Sequence, residues 1–159
     1  MSLLVVMVRL SPGRHNAAMS HFRPGWDALP SKLRAFHDEY HLASLTTLRP
    51  DSRPHAVPVG VTLDPERGCA WVITMRGSRK VAHVNATAGG APVVLCQVDG
   101  PRWASIEGRA SVVEDAESVA RAMSLYAARY GREPAPNPER VALRIEVDVI
   151  LHGPLLDED

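Results

Sequence analysis

The chain has 159 residues, of which 45% are apolar and 23% charged, the balance of one ordinary globular domain. Lys plus Arg and Asp plus Glu number 18 each, so the net charge is zero. That excludes a protein whose main task is coating nucleic acid, although a small basic pocket stays compatible with it. Two cysteines, Cys69 and Cys96, are too few for a disulfide scaffold and form no CxxC pair, so a reducing cytoplasm is the expected setting.

The apolar run from Leu3 to Val8 is too short to cross a bilayer. No basic region precedes it and no small-residue cleavage site follows it, so neither a signal peptide nor a membrane span is expected. Residues 1–29, broken by Ser11-Pro12-Gly13, Pro24-Gly25 and Pro30, are expected to form a poorly ordered or loosely docked extension, within which Met19 is an alternative start.

Residues 30–159 carry the folded domain. A helix opens at Pro30 or Ser31 with Leu33, Phe36 and Tyr40 on one face. A strand over 43–49 ends in the turn Arg49-Pro50-Asp51-Ser52. The next strand, 54–63, alternates through Val57, Val59 and Val61, and its two prolines predict an edge or bulged strand.

Beyond the turn Asp64–Gly68 come an apolar strand over 69–75, a short helix over 79–86, a buried strand over 92–98 and a long strand over 102–113. Asp115 caps a helix with Val119, Met123, Tyr126 and Tyr130 on one face, and Gly131 stops it. After the proline-rich loop 133–138, a last strand alternates strictly over 141–151, and the acidic end 155–159 is expected to fray. Most strands are joined by turns too short for parallel crossovers. A doubly wound nucleotide fold is thereby excluded, and a mainly β, antiparallel barrel with peripheral helices is favoured.

No GxGxxG, GxxxxGK[ST] or GxSxG is present. His37 and His41 share a helix face, but Asp38 stands where a zinc-protease motif needs Glu, so a partly solvated helix end is expected there and no metal site. The most informative stretch is Ile73-Thr74-Met75-Arg76-Gly77-Ser78-Arg79-Lys80. Three cations around the first turn of a helix oppose its dipole at about 0.3–1 kcal/mol each, a cost that an anion such as phosphate would offset. A solvated basic turn is the plainer alternative. Trp103 beside Arg102 suits a ligand wall, a subunit interface or the core.

Taken in order, His41–Leu48, Pro54-His55, Ser78-Arg79-Lys80 and Gln97-Val98-Asp99-Gly100 resemble the split β-barrel flavin/deazaflavin oxidoreductases, the pyridoxamine 5′-phosphate oxidase-like family. Arg102–Arg109 and Pro136-Asn137-Pro138 resemble its F420-dependent biliverdin reductase branch. The resemblance covers about residues 33–157. It implies a six-stranded, antiparallel Greek-key split barrel acting as a homodimer, with F420, or alternatively FMN, in grooves at the subunit interface.

The resemblance further implies that His55, Ala56, Val57 and Pro58, with Ile73, Thr74, Met75, Arg76 and Gly77, line the cofactor ring and its linker. Arg79 and Lys80 would hold its phosphate, while Asp99, Gly100 and Arg109 would reach it from the partner subunit. The implied reaction is hydride transfer from the reduced deazaflavin to a conjugated acceptor such as biliverdin, a tetrapyrrole. Arg76 or Arg79 is a candidate for stabilising charge on the acceptor; no residue is assigned as a general acid. An FMN-dependent oxidase and a non-enzymatic flavin or tetrapyrrole carrier remain the alternatives. The C-terminal basic motif of the oxidases proper is missing from 145–159, which argues against pyridoxamine phosphate as the substrate.

Overall fold

A computed structural model describes residues 19–23 and 25–157. The elements in chain order are β1 (Ser20–Phe22), a 3₁₀ turn (Trp26–Ala28), α1 (Ser31–Asp38), β2 (Ala43–Leu48), β3 (Pro54–Val59), β4 (Thr62–Asp64) and β5 (Cys69–Met75). They continue with α2 (Arg79–Asn85), β6 (Ala91–Asp99), β7 (Arg102–Val113), α3 (Ala116–Tyr130), β8 (Arg140–His152) and a second 3₁₀ turn (Pro154–Leu156).

The strands form one eight-stranded sheet in the order β3-β2-β6-β7-β8-β5-β4, with β1 added on β8. Every pairing is antiparallel. β6 and β7 are joined by a tight turn, β8 pairs with β7 after the α3 connection, and β8 lies beside β5, so the path is a Greek key. The sheet curls so that Leu45, Val72, Leu95, Ile106, Leu143 and Ile145, from β2, β5, β6, β7 and β8, meet in one core. This is the split barrel, with eight strands rather than six because β1 and β4 are each three residues long.

The strict alternation expected over 141–151 is broken: Ala142 is buried beside Val141 and Leu143, and past Asp148 the inward positions are Ile150 and His152 rather than Val149 and Leu151. Along β6, Ala91, Val93, Leu95 and Gln97 point inward while Pro92, Val94 and Val98 face out. β7 carries a bulge between Glu107 and Gly108. A Cβ at Gly108 would lie 2.1 Å from the carbonyl oxygen of Glu146, so the close approach of β8 there admits only glycine.

Four further expectations need correction or completion. The single strand over 54–63 is two strands, β3 and β4, interrupted at Gly60 and Val61. α1 ends at Asp38, its buried face is Leu33, Phe36 and His37, and Tyr40 lies past its end, 59% exposed. His37 is therefore not a solvated helix-end residue. The C-terminal segment does not fray through Leu156, which is buried in the main core under the last 3₁₀ turn. Finally, part of the segment grouped with the extension joins the sheet, since Ser20–Phe22 pairs with Ile150–His152 and Phe22 and Leu29 enter the core. Residues 1–18, including the Leu3–Val8 run, lie outside the described residues. Among those described, no helix is long and apolar enough to cross a membrane.

Candidate functional site

β3 is an edge strand, as its prolines predict, and pairs only with β2. β5 runs out beneath α2, and α2 packs back over β2, β6 and β7. A cleft of about 500 Å³ opens between these elements and the C-terminal end of α3. Pro58, Val59 and Gly60 form one side of it and Ile73 its floor. Lys80 enters from α2, while Tyr126, Arg132, Glu133 and Arg140 complete the opposite rim.

Gly60 is required by this arrangement. A Cβ there would stand 2.7 Å from Cε2 of Tyr126 and 3.0 Å from Cε2 of Tyr130, so the Tyr126 ring lies directly against bare backbone. Tyr126 and Tyr130 stack with ring centroids 4.6 Å apart, and the Tyr126 hydroxyl accepts from Nη2 of Arg132 at 2.9 Å. The end of α3 is pinned from below. The Tyr130 hydroxyl donates to the carbonyl of His41 at 2.9 Å and accepts from the Val61 amide at 3.1 Å. Arg129 donates to the carbonyls of Glu39 and Val61 and to Oε1 of Gln97.

On the other side of α2, a second hollow of about 410 Å³ is lined by Arg49, Ser52, His83 and Thr87 among others. His83 is fixed by a 2.9 Å hydrogen bond between its Nδ1 and Oγ1 of Thr47, and its ring meets that of His55 edge-on at 5.1 Å. His55 is half-buried, and its Nδ1 is shielded with no hydrogen-bond partner. Desolvation, followed by the charges of Arg49, His83, Arg79 and Lys80, holds it below the ordinary imidazole range. Burial alone lowers Lys80 from the ordinary lysine range. Arg49, Arg79 and Lys80 all act on His55, and among the described residues none of them has a carboxylate partner.

The residues expected to bind a cofactor separate into three groups. Pro58, Ile73 and Lys80 line the cleft, and His55 and Arg79 join Lys80 through the shared field. Thr74 is buried, with Oγ1 at 3.2 Å from Oγ of Ser78, while Ala56, Met75 and Gly77 are exposed and Val57 packs on the core. Arg76 is spent elsewhere: Nη1 lies 2.5 Å from Oε1 of Glu114 and Nε 3.4 Å from Oε2 of Glu139. Asp99 and Gly100, at the β6–β7 turn, and Arg109, against the carbonyl of Gly90, are not among the residues lining the cleft. Asp99 pairs with Arg102, which also grips Glu39 in a two-pronged bond of 2.7 and 2.8 Å.

Tyr126, Arg132 and Arg140 were not legible as site residues. Tyr126 shares a helical stripe with the core-facing Tyr130, and Arg132 and Arg140 flank a loop whose path the sequence leaves open. The nearest signal is Gly60, an otherwise unexplained glycine in the middle of an alternating strand pattern.

The profile of the pyridoxamine 5′-phosphate oxidase family matches residues 29–152. The chain is 51% identical over 117 residues to the F420H(2)-dependent biliverdin reductase of Mycobacterium tuberculosis, a span of 74% of this chain and 82% of that one. Among solved structures it is similar to a conserved hypothetical protein of Mycobacterium tuberculosis (TM-score 0.64, 22% identity, 77% of this chain and 82% of that one). It is also similar to an F420 reductase (TM-score 0.59, 18% identity, 74% of this chain and 94% of that one). At such identities the two structures support the fold alone, whereas the profile and the sequence relative each cover most of the chain. The chain belongs to the pyridoxamine 5′-phosphate oxidase family.

Proposed function

We propose that this protein is an F420H2-dependent reductase that passes a hydride to a conjugated, tetrapyrrole-like acceptor such as biliverdin. The observation that carries the reading is the carboxylate-free Lys80 in a cleft with Ile73 and Pro58 on its walls, next to Arg79, its neighbour at the start of α2. A phosphate-bearing cofactor with a flat ring needs both features. The unpartnered Nδ1 of His55 and the partly desolvated Lys80 are polar groups left with capacity for a ligand. The named relative, at 51% identity, supports the choice of F420 over FMN.

When bound, the reduced deazaflavin supplies the hydride. The chain's own part is to bind and orient. Lys80 and Arg79 would hold the phosphate, Pro58 and Ile73 would sandwich the ring edge, and Tyr126 on Gly60 would close the far wall. Arg76, held by two carboxylates, is a poor candidate for steadying charge on the acceptor, so that role falls to Arg79.

Two further parts of the reading rest on the surface. Leu48, Val94 and Val98, 44%, 37% and 62% exposed, lie on the outer face of β2 and β6, flanked by Cys96 and Trp103. Covering that face with a second copy of the chain would make the proposed homodimer and bring Asp99, Gly100 and Arg109 toward the partner's cleft. Cys69 and Cys96, both free, suit a reducing cytoplasm.

Titration of the purified protein with F420 and separately with FMN, followed by fluorescence, tests the reading. Micromolar or tighter F420 binding with weaker FMN binding, then oxidation of the reduced cofactor on adding biliverdin, is the expected result. Preference for FMN would move the protein to the oxidases. Binding without oxidation of the cofactor would make it a carrier.

A further inference from the structure

The cleft holds more positive charge than one phosphate can use. Besides Lys80, its rim carries Arg132 and Arg140, contributed by the loop after α3 and the start of β8. Glu133 is the single carboxylate lining the same space. Arg53, Arg67, Arg76, Arg102, Arg121 and Arg144 have carboxylate partners, whereas Arg132 and Arg140, which line the cleft, have none among the described residues. Arg132 donates only to the Tyr126 hydroxyl, with its guanidinium 5.9 Å from that ring. Arg140 donates Nη2 to the Ala135 carbonyl at 2.9 Å and leaves Nε buried with no acceptor.

Their placement is also informative. Arg140 sits across from Met75 in the β5–β8 pairing, beside the stretch proposed to line the cofactor ring. The carboxylate-free cations of the β2–β3 turn and of α2 gather instead around His55. Lys80 on one side and Arg132 with Arg140 on the other therefore share the cleft with Ile73, and Tyr126 lies beside the arginines.

We infer that Arg132 and Arg140 form a carboxylate subsite for the acceptor: the cleft selects a flat, conjugated molecule bearing at least one ionised carboxylate, held by these two arginines while its conjugated face lies near Tyr126. The inference rests on the reading given above and names its substrate class. Guanidinium forks suit carboxylates because they offer parallel N–H donors, and charge-assisted bonds of this kind exceed neutral ones in strength.

Biliverdin, which carries two propionates, and its dimethyl ester, which carries none ionised, make the test. Equilibrium binding of each is measured on the cofactor-free protein by quenching of tryptophan fluorescence, and F420 affinity is measured separately. Wild type is expected to favour the free acid about tenfold or more over the ester. Arg132→Leu, which gives up a hydrogen bond to Tyr126, should erode that preference severalfold, and Arg132→Leu with Arg140→Leu should abolish it. Arg140→Lys should restore part of it, and F420 affinity should hold constant throughout. Equal binding of acid and ester by wild type overturns the subsite. A loss of F420 affinity in the arginine variants overturns its assignment to the acceptor, by making it a cofactor site. Failure of wild type to bind F420 at all would sink the reductase reading, yet the acid–ester comparison would still judge the subsite.

Discussion

Two groups of charges on this barrel behave in opposite ways. At the β4–β5 end, Asp64 is fully buried and saturated. It accepts from Trp71 Nε1 at 3.0 Å and from Arg121 at 2.8 and 3.0 Å, and Arg121 pairs with Glu66 as well. Arg102 is similarly enclosed by Glu39 and Asp99, and although the ligating atoms of Glu39, His41 and Asp99 lie within 4.8 Å of one another, that guanidinium already occupies both carboxylates. In the cleft, by contrast, Lys80, Arg132 and Arg140 have no carboxylate partner among the described residues, nor does Arg79 beside Lys80. Where every donor has an acceptor within the chain, charge serves the fold. Donors left over on α2, the loop after α3 and β8 line one cleft, and the proposed ligand would supply their acceptor.

The sharpest way to break this contrast is to exchange the consequences of mutation between the two regions. Burial alone would raise the Asp64 carboxyl, but the bonds from Arg121 and Trp71 and the charge of Arg121 hold it below the usual range. Asp64→Ala would strip the partner from a buried indole N–H and leave Arg121 only the exposed Glu66. The expected loss is about 3 kcal/mol of stability in urea unfolding, with F420 affinity unchanged in the protein that remains folded. A stability change under about 0.5 kcal/mol would remove Asp64 from the structural group.

His37 is the exception inside the enclosed region, and it sharpens the contrast from the other side. It is 2% exposed, neither ring nitrogen has a partner, and burial, then the charges of Arg129 and His152, lower its pKa to about 3. An unfolded histidine takes up its proton near pH 6.5, whereas the folded one does not until about pH 3. The unfolded state therefore binds more protons between those values, and stability falls as pH falls through that window and is flat above it. This group should contribute a loss of about 2 kcal/mol between pH 6.5 and 4.5. Comparing unfolding of wild type and His37→Leu across that range isolates it. Parallel curves would show that the imidazole finds a partner, such as a trapped water.

In the open group, Lys80→Ala should raise the F420 dissociation constant about tenfold or more, or roughly 1.4 kcal/mol, while the unfolding midpoint stays within error. An unchanged dissociation constant would take Lys80 out of the phosphate site, and a large drop in stability would place it with the enclosed charges.

The barrel was legible in the sequence wherever local pattern decided it. The Asp115 cap and the edge prolines of β3 needed nothing beyond neighbours in the chain, whereas the strict alternation expected over 141–151 missed the register shift at Asp148, which only the pairing with β7 creates. β1 was not legible, because three residues with no pattern of their own become a strand only by pairing with residues 150–152. The break between β3 and β4 was hidden for a related reason: Val57, Val59 and Val61 alternate without interruption, and only the Tyr126 ring, arriving from α3, makes Gly60 a hinge between strands. His37 looked solvated because an imidazole on a short helix usually is, and nothing local announces that β4 and α3 cover it. The proposed phosphate half of the site rests on a local signal, since Arg79 and Lys80 are adjacent and open a helix. Its proposed acceptor half has none, because Tyr126, Arg132 and Arg140 converge only in the folded chain.

α3 belongs to both regions, which makes its cap the finest test of their independence. Its first half carries Arg121 into the enclosed network, and its C-terminal end carries Tyr126 to the cleft and Arg129 and Tyr130 to the bonds that anchor it. Asp115 accepts from the Ser118 amide at 2.8 Å, and that bond holds its carboxyl below the usual range. Asp115→Ala should cost about 1 kcal/mol of stability by leaving the first turn uncapped. Fraying should stop short of the cleft, because Arg129 and Tyr130 tie the helix end to Glu39, His41, Val61 and Gln97 without help from the first turn. Acceptor and cofactor affinities are therefore expected to match wild type. Should affinity fall together with stability, the helix would be transmitting strain along its length, and the two groups of charges would be one coupled unit.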